Sequence, residues 1–292
     1  RLRAPNVKAV TDFSVPVQTL GSDGENILRV FVNPKEVLEQ YYDNNVLELK
    51  YEVIKDNKNP LLDVTFDGIR ILDGDIVSPN PLVRIRLRDD NPFLQKQDTF
   101  GLDVRLKRPC EGCNFERIPF SSPDLRWKSE GRNIDLEFTP KNLTDGVYTL
   151  RVNGEDASGN RAGIEPYQVN FEVITESSVT NVLPYPNPFS GSTRFVFTLT
   201  GSEIPQEMKI QIMTVAGKVV REITQDELGP IRIGNNISQY AWNGTDEFGD
   251  RLANGVYLYR VIMQLNGEGI KHRATKADRA FKKGYGKLYI LR

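Results

Sequence analysis

The chain has 292 residues, 39% hydrophobic, 9% aromatic and 26% charged, with a formal net charge of -1 at pH 7. Such a length carries a prior of about two domains, and the composition excludes wholesale disorder and any global attraction to nucleic acid or an anionic membrane. No run approaches the ~18 apolar residues of a membrane helix, and the opening RLRAPNVKAV has neither Met nor a signal-peptide core, so the chain reads as a processed or excised piece without a membrane span.

Short apolar runs alternate with clusters of Pro, Gly, Asn and Asp, a pattern that predicts an all-β protein. Residues 1–57 contain three candidate strands, in TDFSVPVQTL, ENILRVFVNP and NNVLELKYEVI. In the last, Leu47, Leu49, Tyr51 and Val53 share a face opposite Glu48, Lys50 and Glu52. Three strands make only a marginal sheet alone, so this is a partial β unit, either a domain remnant or a small sheet leaning on the next domain. From 58 to 177 strands are predicted at LLDVTFDG, IRIL, VRIRLRDD, FGLDVRLKRP, IDLEFTP, GVYTLRVNGED and YQVNFEVI, which suits an immunoglobulin-like sandwich. TESSVTNVLP, residues 175–184, reads as the linker where limited proteolysis would cut first. A second sandwich over 178–292 would use YPNPFSGSTRFVFTL, MKIQIMTVAGKVVREI, ISQYAWNGTDEFGDRLANGVYLYRVIM and GKLYILR. One phrase is said twice, LTDGVYTLRV at 143–152 and LANGVYLYRV at 252–261, which predicts equivalent strands in two related modules.

Residues that could carry chemistry are few. Cys110 and Cys113, in PCEGC, with the single His272 fall short of the four ligands of a structural zinc site, and no helix-opening context marks a thioredoxin-type pair. A local disulfide clipping a loop is expected, with free thiols as the alternative. Because so short a loop removes little chain entropy, melting with and without reductant should differ only slightly. His272 lies far in sequence from either Cys, which argues against a Cys-His nucleophile. Asp73 with Asp75, and Asp89 with Asp90, read as turn residues rather than a glycosidase pair. No Walker loop or dinucleotide fingerprint appears. No cofactor is expected; the one opening for Ca²⁺ is the Asx-rich NGEDASGN loop, which has no DxDxDG pattern.

The phrase NPKEVLEQYYDNNVLELKYEV resembles the final strands of CARDB-type adhesion modules. The last 110 or so residues resemble two overlapping families. One is the FlgD-like Ig-like domain, carried by YPNPF (Tyr185, Pro186, Asn187, Pro188) and by Trp242, Gly244, Asp246, Gly249, Gly255, Val256 and Tyr257. The other is the C-terminal sorting domain of type IX secretion in Bacteroidetes, carried by Pro186, Asn187 and Pro188, by Gly217 and Lys218, by Gly255 to Tyr257, and by the closing GKLYILR. The long WNGTDEFGDRLANG loop and the basic insertion KHRATKADRAFKKGYG depart from the usual sorting domain. With LLDVTFDGIRILDGDIVSPNP they resemble the C-terminal part of large surface proteins of that system, including gingipain-type peptidases and its sortase-like component.

That resemblance implies a non-catalytic address at the cell surface or outer membrane, recognised by the type IX translocon or shuttle proteins, with any peptidase domain lying upstream. After residue 270 there are eight Lys or Arg against one Asp, a charge of +7 on a body of -8. The final strand, terminal in sequence, is a candidate sheet edge. Backbone pairing by Lys287, Leu288, Tyr289, Ile290, Leu291 and Arg292, with the charges of Lys282, Lys283, Lys287 and Arg292 steering the tail onto an acidic patch, is the expected recognition surface; edge-guarding charge on Lys287 and Arg292 is the bland alternative. A structural or adhesive spacer is the second functional reading, and an enzyme or sugar-binding module the third, although Trp127 and Trp242 fall in different modules.

Overall fold

The hexapeptide VRIRLR at 83–88 buries its Val, Ile and Leu and exposes every Arg, and a similar period of two recurs in IDLEF and GVYTLRVN. Repetition of this pattern makes the protein all-β. The computed structural model describes residues 12, 14–17, 19, 21–92, 94–269, 271–273 and 284–292. The chain divides into two compact units, Arg1–Asn57 and Lys58–Arg292.

In the first unit, β1 (Gly24–Phe31) and β2 (Val46–Val53) form an antiparallel ribbon. On the face of β2 that carries them, Leu47 and Leu49 are exposed while Tyr51 and Val53 are half-buried. The TDFSVPVQTL expectation falls partly outside the described residues, and its described positions are not strand.

The second unit holds two immunoglobulin-like sandwiches, each with its own core. The first comprises β3 (Leu61–Phe66), β4 (Asp75–Val77), β5 (Val83–Arg88), β6 (Asp103–Lys107), β7 (Phe115–Arg117), β8 (Leu125–Glu130), β9 (Asn133–Phe138), β10 (Gly146–Asn153) and β11 (Tyr167–Val173). Its sheets run β3-β5-β9-β8 and β4-β11-β10-β6-β7, closing over Ile85, Leu136, Tyr148, Leu150 and Phe171. One expectation is corrected here, and one strand lies where none was expected. IRIL is not a strand: Asp67 and Gly68, with φ of 50° and 83°, turn the chain so that Ile69 bridges back to Phe66, and strand resumes only at Asp75. LRWKSE, which has no clean alternation, is β8. Cys110 and Cys113 are joined in a disulfide.

The second sandwich comprises β12 (Ser178–Tyr185), β13 (Arg194–Thr200), β14 (Glu207–Thr214), β15 (Val219–Ile223), the short helix α1 (Gln225–Leu228), β16 (Gly234–Ile237), β17 (Gly255–Leu265), β18 (Glu268–Gly269), β19 (Lys271–His272) and β20 (Gly286–Ile290). One sheet runs β16-β13-β12-β19; the other runs β15-β14-β17, with β18 and β20 both paired to β17. A capping box between Thr224 and Glu227 starts α1.

The expected linker at 175–184 is overturned, because most of it is β12. Val179 and Val182 enter the core, and the Ser178 and Thr200 hydroxyls, both buried, satisfy each other at 2.8 Å. Buried polar groups paired in this way cost little, so a Ser/Thr-rich stretch can be interior. Around it the sandwiches are joined by a polar chain. Gly201 N–H donates to the Ile174 carbonyl (2.9 Å), Asn235 Nδ2 donates to Asp75 Oδ1 (2.8 Å), and Thr198 Oγ1 donates to Asn235 Oδ1 (2.7 Å). Proteolysis should therefore not cut first at 178–184.

Asp145 sits at this joint and accepts the Thr175 N–H on Oδ1 at 2.7 Å. Hydrogen bonds from Thr175, and then the charge of Arg273, hold its carboxyl below the usual range. A depressed carboxylate contributes its stability above the ordinary Asp pKa of ~3.9 and loses it as pH falls through the folded value. Protection of the Thr175 amide against exchange is thus expected to fall on acidification below about pH 4, and an Asp145→Asn variant should lose that titration. Unchanged acid sensitivity in the variant would discard this role.

Candidate functional site

The two copies of the doubled phrase occupy equivalent places. Gly146 pairs with Val173 and Tyr148 with Phe171, as Gly255 pairs with Ile290 and Tyr257 with Leu288. Each tyrosine hydroxyl donates to the carbonyl four residues back, Tyr148 to Thr144 (3.1 Å) and Tyr257 to Ala253 (3.0 Å). The Asx residue before each glycine receives a backbone N–H, from Thr175 on Asp145 and from Arg292 on Asn254. The repetition is structural.

A second repetition escaped the sequence reading. NGEDASGNR at 153–161 and NGTDEFGDR at 243–251 fold as the same turn. Asp156 N–H donates to the Asn160 carbonyl and Asp246 N–H to that of Asp250; Asn160 N–H and Asp250 N–H return to the Oδ1 atoms, at 2.8 and 2.9 Å. Bridges Glu155–Arg161 and Thr245–Arg251 close both. The repeat was legible as N-G-x-D-x-x-G, but it stands after the GVY strand in one module and before it in the other. Asp156 is buried and comes within 4.8 Å of the buried Asp89.

What differs is the use of the second turn. Arg292 extends its guanidinium into it, donating to the carbonyls of Asn243 (2.8 Å), Gly244 (3.1 Å) and Leu252 (2.8 Å). A Cβ on Gly244 would meet that guanidinium at 2.5 Å, whereas Gly154 in the first turn faces Leu87. Arg292 is therefore a clasp within the module, which corrects its expected role as a steering charge.

The free edge expected for β20 is also corrected. Residues 187–189 lie along it: Asn187 Nδ2 donates to the Lys287 carbonyl (3.1 Å) and Tyr289 N–H donates to Asn187 Oδ1 (2.9 Å). Phe189 N–H donates to the Tyr289 carbonyl (3.1 Å), and Leu291 N–H to that of Phe189 (2.9 Å). Strand addition here must first displace the Pro-Asn-Pro-Phe segment. On the opposite edge of the same sheet, Glu247 N–H donates to the Val220 carbonyl (3.0 Å) and Glu247 Oε1 accepts Glu222 N–H (2.6 Å). Leu288 and Ile290 point into the core. Lys282 and Lys283 lie outside the described residues. An Asn187→Ala variant is expected to lose about 1–2 kcal/mol and to speed amide exchange at Tyr289; equal exchange in both proteins would refute the clasp.

The register brings the motif residues to one end of the sandwich. Thr214 pairs with Tyr257, and Tyr257 with Leu288, so the Gly217–Lys218 hairpin, the Trp242 turn, the Gly255–Tyr257 strand start and the Pro186–Pro188 segment share that end. Phe189 packs on Trp242, ring centroids 5.5 Å apart, and Trp242 Nε1 donates to the Thr245 carbonyl (2.8 Å). Outside this buried knot, Phe248 is 91% exposed and Val215 70%, and Tyr185 and Leu291 are exposed too. Lys218 and Lys287 lie at the same end, as do Asp246, Glu247 and Asp250 of the turn that carries Phe248.

No family model and no curated protein matches the sequence. Among solved structures the chain is similar to the dimeric latent PorU from Porphyromonas gingivalis, at 17% identity and a TM-score of 0.32, over 86% of this chain and 23% of that one. The chain thus spans under a quarter of that protein's length. It is also similar to a chimeric titin Z1Z2 tandem, at 11% identity and a TM-score of 0.19, over 78% and 98% of the two chains. Likenesses of this size leave the site to be judged on its own geometry.

Proposed function

We propose that the chain is a non-catalytic recognition region of a secreted or surface-assembled protein, whose second sandwich is the address recognised by the type IX apparatus at the outer membrane. The observation that carries this reading is the gathering of the sorting-type motif residues, scattered over Pro186 to Tyr257 in sequence, at one end that leaves Phe248 and Val215 exposed. Apolar surface left open to solvent beside such motif residues is the kind of surface that a partner protein covers. Non-catalysis is supported by the cysteines, which form a disulfide and offer no thiolate.

The test uses the whole protein in its producing cell. Phe248→Ser with Val215→Ser is expected to melt like the parent, since neither side chain is buried, but to be retained inside the envelope. Normal surface levels would defeat the address and leave the spacer reading in its place.

A further inference from the structure

Strand β8 is the outermost strand of its sheet, next to β9. The two are joined by Gly131 and Arg132, with Gly131 at φ 58°, and Glu130 pairs with Asn133 across that two-residue turn. In such a hairpin the flanking pair is hydrogen-bonded, and bonded pairs then alternate. Glu130, Lys128 and Arg126 therefore bond to β9, while the N–H and C=O groups of Leu125, Trp127 and Ser129 point outward. Leu125 N–H is used by the Ser122 carbonyl (3.2 Å), and the Ser129 hydroxyl donates to the Lys96 carbonyl (2.6 Å). Among the described residues nothing bonds to the outward backbone groups of Trp127, whose side chain is 39% exposed. In the second sandwich, by contrast, the β15 and β20 edges are both covered by chain.

We infer that the outer edge of β8 is a strand-addition site for an extended acidic segment of another protein, alternating acid, apolar and acid. The side chains choose the occupant. Arg126 and Lys128 share the solvent face on either side of Trp127, and Arg126 has no ion pair among the described residues. On the inner side, β9 already sets Asp135, Leu136 and Glu137 opposite Lys128, Trp127 and Arg126, which is the pattern a second partner would repeat. A second copy of this chain fits poorly. Pairing two β8 strands about Trp127 sets Arg126 against the copy's Lys128, and pairing about Lys128 sets it against itself; like charges opposite each other destabilise a sheet. This surface is on the first sandwich, so its fate does not bear on the address proposed for the second.

A blocked peptide of the sequence NIDLEF and its charge-reversed form NIKLKF serve as probes for the full chain. NIDLEF is expected to bind about tenfold more tightly than NIKLKF, to lose affinity with salt, and to slow exchange of the Trp127 amide. An Arg126→Glu, Lys128→Glu variant, whose exposed substitutions leave the core untouched, should invert the preference. Equal binding of both peptides, or no inversion in a variant that melts normally, overturns the proposal. Protection of the Trp127 amide that rises with protein concentration and without peptide would also overturn it, in favour of a second copy.

Discussion

Removing residues 286–292 is expected to unfold the second sandwich. The deletion withdraws Leu288 and Ile290, both 0% exposed, and strips β17 of its neighbour over Gly255–Tyr259. Each large apolar side chain lost from a core costs about 2–5 kcal/mol. The Arg292 bonds to Asn243, Gly244 and Leu252 add about 1 kcal/mol each. The total is comparable with the ~5–15 kcal/mol that holds a whole domain. Calorimetry should show the second sandwich's transition gone. In a Trp127→Phe background, emission from Trp242 should shift to that of a solvated indole. A truncated chain that keeps a buried Trp242 would refute the account. Loss of export on the same deletion would follow from misfolding alone, so Phe248 and Val215, not the terminal strand, are the residues that test the address.

Replacing Gly234 by Ala is expected to part the two sandwiches while sparing both cores. Gly234 has φ 96°, and a Cβ there would lie 2.4 Å from the Ile76 carbonyl oxygen. The conformation costs an L-residue about 1–2 kcal/mol, and the clash is with backbone of β4, which cannot swing aside as a side chain would. Ile76 and Gly234 belong to different sandwiches, so relief comes from separating them, with loss of the Asn235–Asp75 bond. Small-angle scattering should report a larger maximum dimension, and proteases should gain access to residues 174–178, with the melting of each core little changed. A variant with parental scattering would show that the joint bends locally and that its polar chain is not what fixes the pair.

Much of this molecule follows from periodicity alone. VRIRLR, IDLEF and the two GVY phrases state their strand and their buried face without outside help, because a half-buried strand alternates whatever it pairs with. The same logic fails where burial is not one-sided. SVTNVLPY is a strand whose Ser178 and Thr180 are as buried as Val179; hydroxyl pairing and the first sandwich cover what a hydropathy pattern assigns to solvent. LRWKSE fails in the opposite way, since at the sheet edge only Leu125 is fully buried.

The candidate site was legible as residues but not as an arrangement. The resemblance picked out Pro186 to Pro188, Trp242, Gly244 and the terminal strand, yet gave them no relation to one another. That Asn187 closes the edge of a strand 100 and 102 residues away, and that Arg292 fills the space over Gly244, are matters of long-range pairing. Sequence determined which stretches could be strands, since side-chain alternation is local. Tertiary structure alone decided which edges remain open, because the unpaired N–H and C=O groups of an edge are the same in every residue and only the neighbouring chain distinguishes β20, which is covered, from β8, which is open at Trp127.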